Sequence, residues 1–168
     1  MATNKQAEGC CSLYDKLICL GYTPELSICN RQILSLRERG KRYMLVLPSS
    51  LPTAAFCIDG QIVSVGLRCD KLVLIDYGCE SPNWCQVFVE IKGKDVMYAV
   101  KQLRETIKNP VFHHSSNRKR KYARIVGKSY PSNNSNPVLE KAKKEFEQRY
   151  SCELKTLKPD QTDAIAID

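Results

Sequence analysis

The chain has 168 residues, with 26 Lys+Arg against 18 Asp+Glu for a formal net charge of +8, nine cysteines and 43% hydrophobic residues. This length fits one domain, the apolar content excludes wholesale disorder, and no apolar run approaches the ~20 residues of a membrane-spanning helix. The N-terminal MATNKQAEGC has no hydrophobic signal core, so a soluble, cytoplasmic protein with no membrane partner is expected.

An odd number of cysteines in a chain long enough to bury a core predicts reduced, mostly buried thiols rather than a disulfide scaffold. The positive balance points to a polyanionic partner.

Residues 1–12 read as a loose lead-in. Thr23-Pro24 supplies a helix start, and Leu26, Cys29, Ile33 and Leu36 then follow at spacings of three and four until Gly40, predicting an amphipathic helix. Five short runs rich in β-branched and aromatic residues predict strands at 43–47, 55–58, 62–65, 67–75 and 85–91. Asp59-Gly60 between two of them is a hairpin signal.

Helical spacing returns over 96–107, with Val96, Val100, Leu103 and Ile107 on one face. A polar basic loop at 108–120 precedes a strand over 122–127, and the Asn- and Ser-rich stretch 130–136 reads as a loop. Asn136-Pro137 starts another helix with Leu139, Ala142 and Phe146 inward. A strand at 152–157 and a polar tail at 158–168 complete one α/β domain spanning 1–168, with no internal repeat.

The most informative stretch runs from Leu67 to Lys92. In the last strand Cys85, Val87, Val89 and Ile91 alternate with Gln86, Phe88, Glu90 and Lys92, so Glu90 and Lys92 emerge from the same face. An acid on the neighbouring strand would set a carboxylate pair beside an ammonium group. Magnesium suits such a site, since it binds through one or two carboxylates and keeps several waters. Asp70 and Asp76 have the same parity, so either could face Glu90, although Asp76 beside Tyr77-Gly78 also suits a turn cap.

Other readings stand beside these. A solvated strand face accounts for Glu90 and Lys92 as a surface ion pair. A solvated charge accounts for Glu38, and a helix surface accounts for Gln102. The cluster Arg118, Lys119, Arg120 and Lys121, with Arg124 and Lys128 beyond it, is the densest positive patch. It suits phosphate contact, a solvated loop or a nuclear-localisation-like run. Cys69, Cys79 and Cys85 lack the paired spacing of a zinc site, and His113-His114 reads as a surface pair. A second Glu-x-Lys, Glu153 to Lys155, has no acid-bearing strand directly before it.

Asp70, then Glu90-Ile91-Lys92, then a helix and a further strand, resembles the PD-(D/E)XK nuclease superfamily, which includes restriction enzymes and archaeal-type Holliday junction resolvases. The resemblance implies a restriction-endonuclease-like core, a mixed β-sheet in αβββαβ order over about 24–128, extended here by a C-terminal helix and strand. It implies Mg2+ or Mn2+ held by Asp70, Glu90 and the backbone carbonyl of Ile91, with Lys92 as the catalytic lysine. Gln102 corresponds to a glutamine often found on the following helix, and Cys69 stands where many members carry proline.

The expected function is that of a metal-dependent endonuclease hydrolysing phosphodiester bonds of nucleic acid, DNA foremost, with residues 118–128 on the backbone. Relatives of this kind often work as homodimers. The alternative is a catalytically inactive nucleic-acid-binding or nuclease-partner module of the same fold.

Overall fold

The computed structural model describes residues 9–91, 95–127 and 136–166. Its elements run α1 (Leu13–Cys19), β1 (Leu26–Glu38), β2 (Lys41–Cys57), β3 (Lys71–Asp76), β4 (Trp84–Glu90), α2 (Val96–Lys108), β5 (Asn117–Val126), α3 (Pro137–Tyr150), β6 (Cys152–Leu157) and β7 (Thr162–Ala164). The protein is therefore α/β, with a mixed seven-stranded sheet and three helices among the described residues. Among those residues no helix is long and apolar enough to cross a membrane.

Strands β1 to β4 form an antiparallel meander, after which α2 crosses over to bring β5 parallel to β4 and α3 crosses over to bring β6 parallel to β5. Crossover helices cover one face and need strands that are apolar on both sides. Accordingly every residue of β4 is buried, as are all but the last of β3. On the helical face Leu13, Leu17, Val100, Leu103 and Phe146 pack on Phe56, Leu72, Leu74 and Phe88. On the other face Leu34, Leu36, Tyr43 and Leu45 close over Val73, Val87, Val89 and Tyr122.

The helix expected over 23–40 is the 13-residue strand β1, and the first helix is instead α1, capped by Ser12. The three-and-four spacing of Leu26, Cys29, Ile33 and Leu36 coincides with a stronger alternation around Arg39-Gly40. There Leu34 and Leu36 lead in, while Tyr43, Leu45 and Leu47 lead out, all buried. Ile33 is left 61% exposed. Arg39 and Gly40 take φ of 46° and 76°, closing a two-residue turn of the kind that matches strand twist, with Glu38 paired to Lys41. Cross-strand pairing thus overrides the local helical period.

The strands expected at 43–47 and 55–58 are parts of one strand, β2, whose register to β1 shifts between Arg31 and Ile33. The shift bends β2, so its first half pairs with β7 and its second half with β3. Residues 62–65 form a turn after Asp59-Gly60 with one isolated bridge, Asp59 to Val63, and β3 begins only at Lys71.

The 158–168 tail is not merely polar: β7 lies parallel to β2, and Asp163 is fully buried. The cysteines also depart from expectation. Cys69, Cys85 and Cys152 are buried, whereas Cys11, Cys19, Cys29 and Cys79 are exposed. The expected loop over 130–136 falls almost wholly outside the described residues; Asn136 within it caps α3.

Candidate active site

The β3–β4 register ends with Lys71 paired to Val89, so Asp70 just before β3 lies next to the end of β4, where Glu90 is the last residue. Both are only 2% exposed. The Asp70 N–H donates to the Val89 carbonyl at 3.1 Å, and its Oδ2 accepts from the Ile91 N–H at 2.7 Å. Between these strand ends the Cys69 thiol is pushed well up by burial, opposed by a hydrogen bond with Thr106 and reinforced by the Glu90 and Asp70 carboxylates. Asp70 is therefore fastened to the end of β4 on either side of Glu90. Asp76 does not join them, because it pairs with Trp84 at the far end of β3 and its Oδ1 caps the following turn, accepting from Gly78 and Asn83 N–H at 2.8 Å each.

Helix α2 holds this corner in place. Gln102 Nε2 donates to the Arg68 carbonyl at 2.8 Å, and the Cys69 N–H donates to Thr106 Oγ1 at 2.9 Å. The two bonds tie the segment just before Asp70 to the helix. Gln102 is thus a positioning residue, with its amide nitrogen spent on the backbone.

A cleft of about 720 Å³ opens here, and Glu90, Ile91 and Gln102 lie in its wall. Its lining also includes Arg39 and Lys41 from the β1–β2 hairpin tip, Arg68, Asp59, Asp95 and the half-exposed ring of Tyr98. Arg68 is braced by Asp59, Nε to Oδ1 at 2.6 Å, and by the Gly66 carbonyl. Sequence reasoning missed Arg39, Lys41, Arg68 and Tyr98. The available signal was Arg39-Gly40 between two alternating apolar stretches, which marks a hairpin tip.

Other expected residues separate. Lys92 and Lys128 lie outside the described residues. The cluster 118–121 is on β5 rather than in a loop. Arg124 is fully buried: Nε donates to Asp163 Oδ2 at 2.6 Å and Nη2 to Glu153 Oε1 at 2.8 Å, while the Tyr43 hydroxyl meets the same Asp163 oxygen at 2.9 Å. It offers nothing to a phosphate, so the sequence-based assignment of Arg124 to nucleic-acid binding is corrected. Arg120 is paired with Glu147, and Arg118 lies 4.9 Å over the Tyr77 ring. Lys119 is exposed, and Lys121 half-buried.

Glu38 is not simply solvated, since its Oε2 lies 3.4 Å from the buried ammonium of Lys71, which also meets Glu25 at 2.8 Å. In the second Glu-x-Lys, Glu153 holds Arg124 and Lys155 lies 3.6 Å from Asp163, so both belong to the ion cluster at β7. His113 is exposed, but His114 is partly buried, within hydrogen-bond distance of Ser116 and of the Cys10 carbonyl. Among the described residues no group of three or more His, Cys, Asp or Glu is placed to hold a metal ion. Compared with protein-family models, curated proteins and solved structures, the chain matches none.

Proposed function

We propose that the protein is a metal-dependent nuclease of restriction-endonuclease-like fold, acting on phosphodiester bonds at the Asp70–Glu90 corner. The observation that carries this reading is a buried Asp70 fastened to the end of β4 beside the buried Glu90, which lines a cleft together with Arg39, Lys41 and Arg68. The order of α1, the β2–β3–β4 meander, α2 and parallel β5 supports it as well, with β1 as an added strand.

The donor set suits magnesium, which needs only one or two carboxylates and keeps several waters. Asp70, Glu90 and the Ile91 carbonyl would hold the ion, which when bound polarises the phosphodiester and acidifies water. Asp59 and Asp95 line the same cleft and Arg68 pairs with Asp59, so Arg39 and Lys41 are the cations that meet the flanking phosphates. Lys92 follows Glu90 by two residues and stabilises charge developing on the phosphate.

The test is a panel of labelled DNA and RNA, linear, branched and single-stranded, with Mg2+ or Mn2+, comparing the wild type with Glu90→Gln and Lys92→Ala. Metal-dependent cleavage lost in both variants is expected. Equal cleavage by wild type and variants, or none on any substrate, overturns the reading. In the latter case the inactive binding module takes its place, a second reading favoured by the commitment of one Asp70 oxygen to the Ile91 amide.

A further inference from the structure

A second cleft, of about 550 Å³, adjoins the opposite end of α2. Five cations line it: Lys108 from the last turn of α2, Arg118, Lys119 and Lys121 from β5, and Arg149 from the last turn of α3. None of the described residues lining it is acidic. Helix C-terminal dipoles account for Lys108 and Arg149, which sit where cations are favoured, and Lys108 also pairs with Glu105 at 2.6 Å. They do not account for three cations within four residues of one strand.

Lys121 is the most telling of the three. It is half-buried, and its ammonium donates to the carbonyls of Lys119 and Tyr150 at 3.2 and 3.5 Å. Burial, reinforced by neighbouring Lys119, holds its pKa below the ordinary lysine value. A cation kept in that setting gains most from an anion delivered from outside.

We propose that this cleft is a second anion-binding site that holds backbone phosphates of a nucleic-acid strand. Lys119 and Lys121, two residues apart on one face of β5, suit a ligand with repeated charges. A phosphodiester backbone suits them better than isolated carboxylates, because its charge repeats at every nucleotide along the strand. The two clefts adjoin different stretches of α2, the Glu90 cleft at Tyr98, Ala99 and Gln102 and this one at Ile107 and Lys108. Binding here does not depend on cleavage at Glu90.

The experiment measures fluorescence anisotropy of labelled single-stranded and duplex DNA in chelator, across a salt series. The triple variant Lys108→Glu/Lys119→Glu/Arg149→Glu is compared with Lys101→Glu/Lys141→Glu/Lys158→Glu, an equal charge change at exposed positions outside both clefts. The cleft variant should raise Kd at least ~10-fold and flatten the log–log salt slope by about two to three, whereas the control set should shift Kd less than about threefold.

Unchanged affinity in the cleft variant, or equal weakening by the control set, overturns the proposal. So does a cleft variant that loses pyrophosphate binding while keeping its affinity for DNA, which would mark a site for small free anions. Should the triple variant fail to fold by circular dichroism, Lys119→Glu alone, at an exposed position on β5, carries the same comparison. With metal chelated, loss of binding here is a separate result from absence of cleavage in the substrate panel.

Discussion

Asp70 Oδ2 accepts the backbone N–H of Ile91 at 2.7 Å, fastening the segment that leads into β3 to the end of β4. A carboxylate that could face a metal therefore also has a structural task, and substitution can separate the two. Asp70→Ala leaves a buried amide unsatisfied and should cost about 1–3 kcal/mol in urea unfolding. Asp70→Asn keeps an acceptor of the same shape, so it should lose less stability while cleavage falls at least roughly 100-fold. An Asp70→Asn variant as active as wild type would remove Asp70 from the metal site.

Arg124 and Asp163 form a fully buried pair that anchors β7 to the sheet. Asp163→Ala strands a buried guanidinium and should cost about 3 kcal/mol or more. Tyr43→Phe removes only one hydrogen bond to the same carboxylate and should cost about 1 kcal/mol. Chemical denaturation of the two variants checks the order, and equal losses would show that Glu153 alone suffices for Arg124.

Arg39 adopts φ of 46° at the hairpin tip, a left-handed conformation that costs a non-glycine residue about 1 kcal/mol. Its side chain also lies on the cleft rim. Arg39→Gly should leave the melting temperature unchanged or slightly raised while weakening DNA affinity and cleavage. A variant that lost stability but kept affinity would assign Arg39 to the fold alone.

Burial raises the thiols of Cys85 and Cys152 to about 12 each, and that of Cys69 is raised as well. The folded state thus holds these protons where an unfolded thiol, near 8.5, releases them. Stability should be level below about pH 8 and fall above it, on the order of 1 kcal/mol per pH unit for each thiol. Urea unfolding at neutral and alkaline pH checks this, and Cys85→Ala should flatten the alkaline decline relative to wild type.

Helices α2 and α3 and strands β4 and β6 were legible in the sequence because local signals carry them. An amphipathic period behind a capping residue marks a helix where no competing alternation overlaps it, and alternation along one strand fixes which side chains share a face. The 23–40 stretch held two periods at once. Only the partner strand and the Arg39-Gly40 turn decided between them, and that decision put Arg39 and Lys41 beside Glu90.

The choice of Asp70 over Asp76 beside Glu90 was likewise settled by register, which no spacing within one strand contains. The fate of the basic cluster followed the same rule. Arg118, Lys119, Lys121 and Arg124 are alike as sequence, yet Arg124 lies under β7 against an aspartate 39 residues away, while the others line an open cleft. A sequence determines how many charges there are and which neighbours share a face. Whether a charge meets a carboxylate or solvent depends on long-range packing, because the cost of desolvating an ion is set by what the fold places around it.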